Sequence, residues 1–554
     1  MWLLVQGSVL ADQLSDNFST FYTALFKLPL EWFMRTKPNR NMLQDQSNFT
    51  LHQCSIIVGL SFTFCSLLFG FKMNGTLLKL LAFALLLLPA TAFAGETASA
   101  LSAPKSLNLT HHIIGYLSIA VTVLAYIAAM SEEVIELRKS KPMVLGSALV
   151  WFAICIYYAL HGEAKVAAVA FESNLLAYIE LFLFILVSMT YLNAMEERGI
   201  FDGLRIWLLG RQYSYRQLFW ITGVLAFLLS TVISGMAVGL LMGAVAAAVG
   251  KYKKEFVALA CVNIVVAANA GGSLSPLGGI STLFVWQHKI LPFYEFLSLT
   301  IPCMVNFLVP AVVMHFFVPK ETPAASTSTI WLRRGSKRVI LLFIVTLAIT
   351  VSSNIVLELP PAAGMMAGLG LLQFFSFYLT QTAHEVKSDF AHVYQLFGVE
   401  APRDNKKQDF DVFKNVGNVD WDTLLFFYGA MMLIGALGFL GYLDAIAHFL
   451  FGQISATVAN ISIGLSSAFV DNGTLMFAVL SMHPDLPPGQ WLLLTLTLGV
   501  GGSLLAIGSA PGVALLGQIK EGYTFAFHMR WMPVILLGYF ASIAVHFWIN
   551  ARYF

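Results

Sequence analysis

Charge is what this chain has least of. Asp, Glu, Lys and Arg supply 11% of its 554 residues, against 58% hydrophobic residues, and the mean hydropathy is +0.75. Water-soluble domains carry about 25% charged residues, so this composition excludes one and leaves a polytopic membrane protein. A net charge of +2 offers no basic face, so no nucleic acid partner is expected. Cysteine is scarce too. Cys54, Cys65, Cys155, Cys261 and Cys303 have no CxxC spacing and all lie in apolar stretches, which excludes a disulfide or metal framework and reads as small core residues. HExxH, GxSxG and paired Cys/His patterns are missing from the spans, and histidines such as His315 are dispersed. No enzyme site, metal or cofactor is expected.

The first hundred residues stand apart. Within 73–96, Lys79, an apolar run to Leu88, Pro89 and the small-residue site Ala92-Phe93-Ala94 form a secretory signal peptide over 73–94, with cleavage before Gly95. The reading adopted is that translation starts at Met73 and that residues 1–72 are an N-terminal extension from upstream sequence. The alternative makes 55–71 a membrane helix barely long enough to span.

Beyond residue 110, apolar runs predict spans at 112–130, 143–160, 174–193, 256–292, 297–318, 339–357, 363–381, 421–443, 490–517 and 532–550. Two further segments, 217–250 and 455–483, are too long for one crossing and carry small or polar residues in the middle. Basic residues thread the chain. Arg138, Lys139 and Lys141 follow the first span, so that loop is cytoplasmic and the mature amino terminus lies outside. Arg198, Arg205, Arg211 and Arg216 precede 217–250, while Lys251, Lys253 and Lys254 follow it. Two basic flanks on one side make this segment a re-entrant helical hairpin with its turn near Ser234-Gly235. Carried forward, the count places Lys320, Arg333, Arg334, Lys337, Arg338, the polar loop 382–420, Lys520 and Arg530 inside, so hairpin 455–483 enters from the outer face. Irregular backbone at membrane depth is tolerated only inside protein or beside water, so both tips should line a site.

Two hairpins of opposite entry imply an inverted repeat. GIFDGLRIWLLG (199–210) matches GYLDAIAHFLFG (441–452), with Gly199/Gly441, Asp202/Asp444 and Gly210/Gly452 all 242 positions apart. Each motif precedes a hairpin and then a Gly/Pro-interrupted span, the sequence pointer to a transporter site. The expected fold is an all-α polytopic membrane protein, an inverted-repeat ion transporter with two re-entrant hairpins and two broken transmembrane helices. Its parts are scaffold spans 112–160, a first repeat 174–318, linking spans 339–381 and a second repeat 421–550.

Asp471 lies in an otherwise lipid-compatible run, where an acid costs roughly 2.5–3.5 kcal/mol to insert and is read as functional by default. The alternative is an Asp that only caps a broken helix. Asp471 offers a hard oxygen to Na⁺ or Li⁺ and a titratable site to H⁺. Asn472, Thr474, Asn269, Ser273, Ser275, Ser503 and Ser509 can add neutral oxygens, the alternative for the serines being close helix packing. Glu180, within 174–193, is either a proton relay or an interfacial acid.

ACVNIVVAANAGGSLSPLGGISTLFVWQ (260–287), SSAFVDNGTLMFAVLSM (466–482), GGSLLAIGSAPGVALLGQ (501–518) and EEVIELRKSKPMVLGSALVW (132–151) closely resemble the NhaD-type sodium/proton antiporters of the ion transporter superfamily, over about 112–550. The resemblance implies a bacterial cytoplasmic-membrane carrier among lipid, a homodimer of scaffold and transport parts, exchanging Na⁺ or Li⁺ for H⁺. The family pattern also carries Asp and Asn where this chain has Ser234 and Gly235, Thr where it has Ala237, Val238 and Ser281, and Asp where it has Gly279. Three readings therefore stand: a cation/proton antiporter with a reduced site at Asp471, a carrier of another solute such as an anion, and a scaffold that does not transport.

Overall fold

A computed structural model describes residues 109–554 apart from 133–135, 212, 251–252, 324–332, 397–409 and 520–521. The expected leader at 73–94 and the extension 1–72 lie outside the described residues. Within them every regular element is helical, and nine helices are long and apolar enough to cross a membrane.

The chain opens with α1 (Ile113–Met130), α2 (Ser140–Leu160) and α3 (Ala164–Glu197). At 34 residues, α3 starts ten positions before the expected span, because the Ala-rich stretch after Glu163 is itself a strong helix former. The first repeat continues with α4 (Ile200–Leu209), the pair α5 (Tyr215–Ser230) and α6 (Gly235–Val249), the interrupted pair α7 (Lys254–Gly272) and α8 (Ile280–Gln287), and α9 (Thr300–His315). Then come α10 (Ser336–Leu357) and α11 (Pro361–Leu396). Residues 382–420, read as a polar loop, thus begin as a continuation of α11 and end with the short α12 (Val412–Gly417).

The second repeat runs through α13 (Trp421–Phe439), α14 (Tyr442–Ala447), α15 (Ala456–Ser466), α16 (Asn472–Ser481), α17 (Pro488–Gly501), α18 (Ala510–Gln518) and α19 (Phe525–Ile549). The arms α5, α6, α15 and α16 have 16, 15, 11 and 10 residues, too few to cross a ~30 Å apolar core singly. Arms α5 and α6 pack on each other, whereas α15 and α16 diverge and pack on other helices.

The two repeats reuse the same contacts. Gly199 and Gly441 start α4 and α14 with φ of 73° and 93°, a left-handed conformation that glycine adopts at little cost. Ser230 Oγ donates to the Ala268 carbonyl at 2.8 Å, and Ser467 Oγ to the Leu498 carbonyl at 3.1 Å. A Cβ on Gly271 would meet the Phe227 carbonyl oxygen at 2.1 Å, and one on Gly501 would meet that of Gly464 at 2.0 Å. Hairpin partners are 237 positions apart and broken-span partners 230. Between repeats the pattern crosses over: α6 packs on α18, and α16 on α8. The broken helices form the centre. The apolar stretch of α7 is 94% buried against 28% for α1, and α17 is buried at every residue from Gly489 to Gly501. A helix apolar all round belongs inside the protein.

Candidate functional site

Four helix starts converge on one cavity of about 130 Å³, room for a small ion and a few waters. Ser234 and Gly235 at the start of α6, Gly279 to Ser281 at α8, Asp471 and Asn472 at α16, and Ser509 to Pro511 at α18 line it. The equivalent caps share a backbone shape: Ser234 has φ −49° and ψ 130°, Asp471 has φ −52° and ψ 132°. Such termini leave backbone N–H groups without helical partners and carry partial positive charge.

Asp471 uses that setting fully. Its Oδ2 accepts from the Thr474 amide at 3.1 Å and from Thr474 Oγ1 at 3.3 Å, so it caps α16 and lines the cavity at once. Capping and functional readings therefore describe the same atoms. No other acid lines the cavity among the described residues. Tyr126, from α1, keeps a buried hydroxyl without a hydrogen-bond partner among the described residues, within electrostatic reach of Asp471. The remaining polar groups divide. Asn269 Nδ2 donates to Ser509 Oγ at 2.8 Å, tying the two broken spans together across the cavity. Ser273 borders it, but its hydroxyl donates to the Asn269 carbonyl at 2.8 Å. Its side chain also lies where a Cβ on Gly499 would come within 1.9 Å, which marks the tight crossing of α7 and α17.

Other expected residues are not brought to the cavity. Ser275 Oγ accepts from the Leu277 amide at 3.2 Å and shapes the turn. Ser503 Oγ donates to the Val500 carbonyl at 2.6 Å. Glu180 sits half-buried on α3, one turn before Phe184, which does line the cavity.

Sequence reasoning missed two polar residues of the cavity wall and one buried histidine behind a helix break. Lys139, at the start of α2, lines the cavity with Thr423 of α13. His528, fully buried on α19, puts Nε2 at 2.9 Å from the Ser503 carbonyl and Nδ1 at 2.7 Å from the Tyr523 hydroxyl. It thereby occupies a carbonyl freed by the break in α17. A basic loop residue and an isolated histidine carried no signal of either placement.

The first repeat has no acid at its caps. Ser234 makes no capping bond, and a Cβ on Gly279 would lie 2.4 Å from the Gly272 carbonyl oxygen. The backbone at 279 is thus closed to any side chain without movement. Position 235 is open, since a Cβ there meets nothing nearer than 3.8 Å.

Two broken helices, two short helix pairs and a cavity at their meeting point define a membrane-embedded secondary transporter. A family model described as citrate transporter matches residues 111–499. The chain is 48% identical over 482 residues to the Na⁺/H⁺ antiporter NhaD of Halomonas elongata, covering 85% of this chain and 95% of the relative. It is 48% identical to that of Alkalimonas amylolytica, covering 81% and 93%, and 46% identical to that of Vibrio cholerae, covering 81% and 95%. The chain belongs to the NhaD family of transporters.

Proposed function

We propose that this protein exchanges Na⁺ or Li⁺ for H⁺ across a bacterial cytoplasmic membrane, with Asp471 taking either the metal ion or the proton. One observation carries the reading: among the described residues Asp471 is the sole carboxylate at a cavity built by both helix breaks, in a chain whose relatives are named Na⁺/H⁺ antiporters. Ionised, it presents one hard oxygen beside the neutral oxygens of Asn472, Ser234 and Ser509. Protonated, it loses the charge that holds a metal ion and accepts the Thr474 amide less strongly. One group that binds a proton or an ion, never both, is sufficient for exchange.

The threading from Lys and Arg supports a sidedness: α5 and α6 dip from the cytoplasm, α15 and α16 from outside, with the mature amino terminus outside. The NhaD resemblance supports a homodimer among lipid. An anion carrier is the second reading, favoured by the four helix starts and Lys139 at a cavity with one acid.

Reconstitution in vesicles with an imposed pH gradient is the test. Addition of Na⁺ or Li⁺ collapses the gradient, and Asp471→Asn abolishes that response. A parent that answers neither cation, and matches Asp471→Asn, removes the antiport reading. Uptake of labelled carboxylates or oxyanions by both proteins would establish the anion reading.

A further inference from the structure

Lys139 is the only cation among the described residues that line the cavity, as Asp471 is the only anion. Its place is built by its neighbours. Ser140 Oγ donates to Asp422 Oδ1 at 2.5 Å, which pins the start of α2 to the first turn of α13. Lys139 Nζ then lies 5.1 Å from the centre of the Phe426 ring, and Phe426 itself lines the cavity. The side chain makes no capping bond to α2, and among the described residues no ion pair joins it to a carboxylate. The carboxylates within electrostatic reach of Lys139 are Glu132 in the connection after α1 and Asp471 itself; Asp420 and Asp422 at the start of α13 act in turn on Glu132.

We propose that Lys139 is a tethered counter-cation of Asp471, sharing the carboxylate's field while the cavity holds no metal ion and giving way when Na⁺ or Li⁺ enters. The inference deepens the antiport reading and rests on it. With both side chains charged, the empty cavity is neutral. An entering cation meets the carboxylate's attraction and the ammonium's repulsion together, and neither is well screened in a buried site. Cation–π attraction already holds the ammonium over the Phe426 face rather than against the carboxylate, and its flexible four-carbon stem lets it move further from an entering ion. Lys139 is thus a positioning residue that sets how tightly the site holds an ion without touching it.

The test is equilibrium binding of radiolabelled Na⁺ to the purified full chain at one fixed pH, with KM and maximal rate measured in vesicles. Lys139→Gln should bind Na⁺ about tenfold more tightly, the scale of removing one nearby like charge. Its KM should fall while the maximal rate does not rise. Lys139→Met, which keeps the apolar stem, should reproduce this. Lys139→Arg should restore parent affinity, and Lys141→Gln on the exposed flank should leave it unchanged. Neutral variants with the parent's affinity and KM, or tightening by Arg as well, would overturn the proposal and leave the antiport reading standing. A parent that binds neither Na⁺ nor Li⁺ would overturn both.

Discussion

At the scale of single residues, Asp471 caps α16 and lines the cavity with one oxygen pair, and the proposed exchange would use that same pair. A capping carboxylate is stabilised by the helix start it caps, which lowers the cost of keeping an acid at membrane depth. Asp471→Asn retains an acceptor for the Thr474 amide, so stability should change by less than about 1 kcal/mol while cation-driven collapse of a pH gradient disappears. Thermal unfolding in detergent, run beside the vesicle assay, separates these effects. Asn269→Ala should behave differently. It removes the bridge to Ser509 and should cost about 0.5–2 kcal/mol, read as a lower unfolding midpoint. Asp471 was legible because an acid in an apolar run is conspicuous. The serines were not separable by sequence: Ser273 bonds a carbonyl one helical turn back, as serines in helices commonly do, and Ser503 is spent within its own segment. Only Ser509 has its hydroxyl engaged across the cavity.

Among elements, glycines decide how closely the broken spans approach their neighbours. Gly239 sits where a Cβ would be 2.9 Å from Pro511, and Gly473 where one would be 2.8 Å from Ile280, so α6 meets the start of α18 and α16 the start of α8 with little room. The departures from the family pattern therefore differ in reversibility. Ser234→Asp with Gly235→Asn should fold, because position 235 is open. Gly279→Ala should destabilise by about 1–3 kcal/mol, because its Cβ would press on the Gly272 carbonyl oxygen. Unfolding midpoints of the two variants test this ordering. If Gly279→Ala unfolds with the parent, the close approach is not rigid. The interrupted spans were legible from their Gly and Pro content. The divergence of α15 from α16 was not, because it depends on what each arm packs against.

For the whole molecule, the internal repeat makes a sidedness prediction. Arg211 precedes α5 and Ser455 precedes α15, and both are exposed. With the natural cysteines replaced, Arg211→Cys should react with a membrane-impermeant maleimide only from the cytoplasmic side and Ser455→Cys only from outside. Labelling of both from one side would remove the opposite entry of the two helix pairs. Hydropathy, basic flanks and Gly/Pro interruptions are local along the chain, and so the sequence by itself determined the class of protein, the spans and the two breaks. Tertiary packing decided the rest. It brought four helix starts from distant segments to one cavity, turned Ser275 and Ser503 away from it, and carried Lys139 from a basic loop to its wall. Those outcomes depend on which faces meet across 38 to 370 residues of chain, and hydropathy along a single segment carries no record of them.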